Sequence, residues 1–134
     1  MALSKKQREI LFNKYNGLCA YCGCELKQKW HADHISPLKR QFEFIKKGNI
    51  YITKLTGVVE NPHLDIFENL NPSCQECNIH KGSGTLEQFR TRLSNKINNL
   101  RKNSKDFRFA EKFEQILITP KNIVFYYEKN NQKL

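Results

Sequence analysis

The sequence lacks any long apolar run. Its longest, Ile123 to Tyr127, is far shorter than the roughly 20 residues a helix needs to span a bilayer. The opening Met1-Ala-Leu-Ser-Lys-Lys has no apolar core of a secretory signal, so a non-secreted, cytoplasmic protein is expected. Glycine (6) and proline (4) are too sparse for a low-complexity linker, and no internal repeat is visible. At 134 residues this argues for one domain, 1–134. Acidic side chains are scarce as well. Lys+Arg number 23 against 13 Asp+Glu, a net charge of +10, which suits a polyanionic partner. No stretch joins a broad apolar face to a Lys/Arg-rich one, which argues against a membrane-surface role. Aromatics at 11% argue against disorder.

The cysteine count, five, is odd, and this argues against a disulfide framework. Four of the five form two C-x-x-C pairs, Cys19/Cys22 and Cys74/Cys77, with 51 residues between the inner cysteines. Each pair brings two thiolates to one ion by a turn of backbone, and two pairs make the tetrahedral sulfur set of a structural zinc site. A chain this short buries a modest core and gains from such a staple. Cys24 is left over, as a free thiol or a competing ligand.

Local patterns give an outline. Ser4 with Gln7 makes a capping box, predicting a helix over 4–16 that Gly17 ends. Residues 18–23 read as a tight knuckle and 29–35 as a short strand closed by Pro37. Ile50 to Thr53 and Leu55 to Val59 read as the two arms of a hairpin. Helical signal starts at Cys74 and breaks at Gly82-Ser-Gly84. Thr85 with Gln88 makes a second capping box, and Leu86, Phe89, Leu93, Ile97 and Leu100 then line one face of a single helix. A further helix is expected over 106–117, a strand over 123–128, and fraying over 129–134.

Three landmarks remain: Asp33-His34-Ile35-x-Pro37, then Asn69-Leu70, then Cys74-x-x-Cys77-Asn78-x-x-Lys81. Their order, with the two cysteine pairs, resembles the HNH endonuclease family over residues 19–82, about half the chain. The resemblance implies an α+β fold: a ββα-metal (His-Me finger) core stapled by a four-cysteine zinc site. It also implies a divalent-metal-dependent endonuclease that leaves 5′-phosphate and 3′-hydroxyl ends on DNA, encoded by a bacterium or a phage. By position, His34 matches the general base and Asp33 a ligand of the catalytic ion, Mg²⁺ or another divalent cation. Asn69 matches the middle asparagine that steadies the loop and orients the histidine. Asn78 stands where many members carry a second histidine, making an H-N-N variant whose amide oxygen suits a hard cation.

The chemistry is coherent without the resemblance. Phosphodiester hydrolysis needs a base for the attacking water and a cation for the developing charge. In a regular strand, however, Asp33 and His34 point to opposite faces, so one site can use both only if the strand bends or ends there. Residues 38–67 exceed what compact family members use and read as an insertion in the ββ hairpin; residues 85–134 form a C-terminal helical extension. Between 81 and 108 eight basic residues face two acidic ones, which nominates Lys81, Arg90, Arg92 and Lys96 as contacts to double-stranded DNA. A zinc-stabilised nucleic-acid-binding module without catalysis is the alternative.

Overall fold

The first capping box forms as expected. Ser4 and Gln7 exchange backbone-to-side-chain hydrogen bonds of 3.1 and 3.0 Å, and helix α1 runs Lys5–Asn13. The computed structural model describes residues 2–131. After α1 the chain reverses through Asn16 and Gly17, both at positive φ. It enters a knuckle closed by a Leu18–Glu25 bridge and by the Cys19 N–H donating to Cys24 O at 2.8 Å. Gly23 is required there. Its φ is +78°, and a Cβ would lie 2.9 Å from the Tyr126 ring.

Two short strands pair antiparallel at the centre: β1, His31–His34, and β4, Leu70–Ser73. The register sets Asp33 opposite Asn71 and His34 opposite Leu70, and all four residues of β4 are buried. Helix α2, Gln75–Lys81, follows β4 at once, with Cys74 as its N-cap. Strand, strand and helix thus meet in space although 35 residues separate β1 from β4. No helix among the described residues is long and apolar enough to cross a membrane.

The stretch between β1 and β4 is largely a separate ribbon. Strand β2, Arg40–Lys47, pairs with β3, Ile50–Val59. This corrects the expected pairing: Ile50 to Thr53 and Leu55 to Val59 are not two arms but one ten-residue strand. The turn is Gly48-Asn49, where the positive φ falls on the glycine (+61°), as a two-residue II′ hairpin loop requires. Asn61 ties the ribbon's base, accepting from Lys39 N–H at 2.7 Å and donating to Pro37 O at 3.1 Å.

The C-terminal half departs further from expectation. The helix predicted over 85–100 is two, α3 at Leu86–Ser94 and α4 at Lys96–Asn103, broken at Asn95. Phe89 at the head of the apolar stripe is buried, whereas Leu100 at its tail is exposed, so the stripe does not all face one core. Helix α5 is Lys105–Lys112, shorter than expected. The strand expected over 123–128 is absent. Phe125 enters the core and helix α6, Tyr126–Asn131, begins just after it. The Tyr126 and Tyr127 N–H groups donate to Tyr21 and Ala20 carbonyls, and Glu128 Oε1 accepts from Phe125 N–H at 2.8 Å. These contacts satisfy the backbone donors that open the helix, which is why an aromatic, β-rich segment turns helical here. Of the expected fraying segment, 129–131 completes α6, and 132–134 lie outside the described residues.

The core joins these parts. Cys19, Tyr21, Leu26, Phe89 and Phe125 form its buried centre, with Cys74, Cys77, Phe12 and Trp30 packed on it. Phe89 and Phe125 stack at 5.3 Å, and Tyr21 meets both edge-on.

Candidate functional site

The knuckle and the start of α2 bring Cys19, Cys22, Cys74 and Cys77 together, with all four Sγ atoms within 4.8 Å of one another. Cys22 and Cys74 Sγ stand 3.9 Å apart. A tetrahedral ion with bonds of about 2.3 Å to sulfur needs edges of about 3.8 Å, so the set fits a metal ion such as zinc. The sulfurs are also held from behind, Tyr21 N–H donating to Cys19 Sγ and Cys77 N–H to Cys74 Sγ, each at 3.4 Å. A hydrogen bond from Cys77 pushes the Cys19 thiol down to about 4, and the same contact pushes Cys77 up. Cys24 is not part of the cluster.

His34 ends β1, partly exposed, and its Nε2 lies 2.9 Å from Asp65 Oδ1. A carboxylate only accepts, so this contact makes Nε2 the protonated nitrogen and leaves Nδ1 as the acceptor. The His34 hydrogen bond in turn holds the Asp65 carboxyl below its ordinary value. Asp65 follows a single 3₁₀ turn, Pro62–Leu64, in the irregular stretch between β3 and β4, and no motif marked it. Asn69 explains why it arrives there. Its Nδ2 donates to Leu64 O at 2.8 Å and Ser36 O at 2.9 Å, and its Oδ1 accepts from Ser36 N–H at 3.0 Å. One side chain thus clamps the residue before Asp65 to the exit of β1.

Asp33 points the other way, as strand alternation demands. It is buried, accepts from Tyr21 Oη at 2.5 Å, and lies 3.1 Å from Lys81 Nζ. Burial, and after it the Asp33 charge, push the Tyr21 hydroxyl upward. Lys81 is 1% exposed and also donates to His34 O at 2.8 Å. Lys81 as a DNA contact is thereby corrected: its cation neutralises a buried carboxylate and cannot reach a phosphate. Asp33 as an open ligand for a catalytic cation is corrected for the same reason.

Asn78 sits one turn before Lys81 on the same face of α2, half-buried, and its side chain makes no hydrogen bond among the described residues. Of the other expected DNA contacts, Arg90 is committed internally, whereas Arg92 and Lys96 are exposed. The Arg90 guanidinium bonds Glu87, Glu128 and Ile123 O and lies over Phe125. Arg92 caps α2 through His80 O and Lys81 O, both at 2.9 Å. Lys96 is exposed at the start of α4.

Compared with protein-family models, with curated proteins and with solved structures, the chain matches none.

Proposed function

We propose that this chain is an endonuclease of the HNH class that hydrolyses DNA phosphodiester bonds, with His34 as general base and zinc held by the four cysteines. One observation carries the reading: an imidazole at a strand end, partly exposed and fixed through Nε2 by Asp65, within the residue order that resembles the family. Imidazole is the side chain suited to take a proton from water near neutrality. Here Nδ1 takes it, and the Asp65 carboxylate stabilises the imidazolium that results. Asn69 keeps Asp65 in reach. On this reading the β1–β4–α2 unit is a ββα-metal core and β2–β3 its insertion. Mg²⁺ supplied through Asp33 does not fit the arrangement, because Lys81 and Tyr21 already hold that carboxylate.

The closure of Asp33 favours a second reading, a zinc-stapled nucleic-acid-binding module without catalysis. A plasmid-nicking assay with and without Mg²⁺ separates the two. The nuclease reading expects nicking by the wild type and a loss of about 10²–10⁴-fold in His34→Ala, with zinc content and circular dichroism unchanged. Undiminished cutting by His34→Ala ends it, and duplex binding with no nicking leaves the binder.

A further inference from the structure

The β2–β3 ribbon presents a face that no other described element covers. Directly opposed residues of an antiparallel pair share a face. Phe42 stands opposite Leu55, Phe44 opposite Thr53 and Lys46 opposite Tyr51. Phe42, Phe44, Tyr51 and Leu55 are 60, 75, 67 and 51% exposed. A contiguous apolar row of this kind marks a docking surface.

Charge identifies the occupant. Residues 39–59 hold Lys39, Arg40, Lys46, Lys47 and Lys54 against Glu43 alone. None of these five cations is in a salt bridge among the described residues, whereas Arg90 and Arg101 are both paired. Two such ribbons repel each other, so a second copy is a poorer partner than a polyanion.

We infer that this ribbon enters the major groove of duplex DNA, its apolar face on the base edges and Lys46, on that same face, on a flanking phosphate, while Lys47 and Lys54 on the other face add to the ribbon's positive charge. The dimensions agree. Strands about 4.8 Å apart make a ribbon that enters a groove about 12 Å wide but not one of about 6 Å. Ten residues of β3 at about 3.3 Å each reach about one turn of duplex. Phenylalanine meets the thymine methyl in that groove, and the major groove of A-form RNA is too narrow to admit the ribbon. The inference rests on DNA as the partner in the proposed function and names the part of the chain that holds it.

The test uses the full chain carrying His34→Ala, so that the probe survives, and follows fluorescence anisotropy of a short thymine-bearing duplex. Adding Phe42→Ser and Phe44→Ser is expected to weaken binding about tenfold, the effect of losing groove contacts. Both positions are exposed, so zinc content and circular dichroism stay as in the parent. Replacing thymine by uracil in the duplex weakens the parent and leaves the doubly substituted protein unaffected. Equal affinity of the parent for both duplexes, or unchanged affinity after the two substitutions, overturns the inference. So does a parent dimer in sedimentation that the substitutions split, which assigns the face to a second copy. Failure here is separable from failure of the nuclease reading. A wild type that nicks plasmid while the ribbon variant binds as tightly removes the ribbon alone, and one that binds through the ribbon but never nicks removes catalysis alone.

Discussion

Lys81 shows how one residue can look like a ligand contact and act as internal structure. Its position after Asn78 and its place in a basic segment argue for a phosphate contact, yet charge counts along a sequence say nothing about partners. The partner, Asp33, is 48 residues away in sequence and becomes visible only when α2 packs on β1. Removing one member of a buried pair leaves an uncompensated charge, so Lys81→Met is expected to cost about 3–5 kcal/mol in urea unfolding. Asp33→Asn with Lys81→Met together should cost less than the sum of the single changes. Asp65 makes the complementary case. Nothing in its spacing marks it, and it reaches His34 because Asn69, which was legible, clamps Leu64. The His34 hydrogen bond depresses the Asp65 carboxyl, so its stabilising contribution is full above the ordinary aspartate value of about 3.9. That contribution fades as pH falls through the lower folded value. Acid titrations of wild type and Asp65→Asn should therefore differ near neutrality and converge in strong acid, and a constant gap would show that the pair does not titrate as the geometry requires.

Elements were legible where their causes are local. Both capping boxes, at Ser4/Gln7 and Thr85/Gln88, form as read, because a cap is decided within four residues. The 123–128 segment was illegible for the opposite reason: its aromatic, β-branched composition is that of a strand, but no strand edge is offered to it. The chain instead supplies the Ala20 and Tyr21 carbonyls, a slot beside Phe89, and Arg90 to hold Glu128. Phe125→Ala should then cost about 3–5 kcal/mol and release α6, as limited proteolysis would detect. The ribbon behaves differently. It pairs only with itself and exposes most of its apolar side chains, so it buries little that the rest of the chain needs. Replacing 41–58 by a glycine pair should move the melting temperature by less than about 4 °C. A large drop would mean that the ribbon supports the core.

For the whole molecule the two C-x-x-C pairs were the most legible feature, because metal chemistry fixes ligand type and count whatever lies between. The 51 intervening residues could not be placed from sequence, yet all four sulfurs converge. Their position gives the ion a large role. Cys19 sits at the centre of the aromatic core, and Cys74 caps α2, the helix that carries Asn78 and Lys81 to β1. An ion held by these four sulfurs would therefore join the front of the chain to the strand–helix unit that carries His34. Structural zinc contributes about 10–16 kcal/mol to small domains. Net stabilities are only about 5–15 kcal/mol, so loss of the ion is enough to tip the balance. A strong chelator is expected to abolish the cooperative melting transition, and zinc alone should restore it. Elemental analysis should find one zinc per chain. Cys24→Ser, outside the cluster, should leave both results unchanged, while Cys77→Ser should reproduce the chelated state without chelator. Folded protein free of zinc would remove the staple, and with it the reason His34 and α2 keep their places.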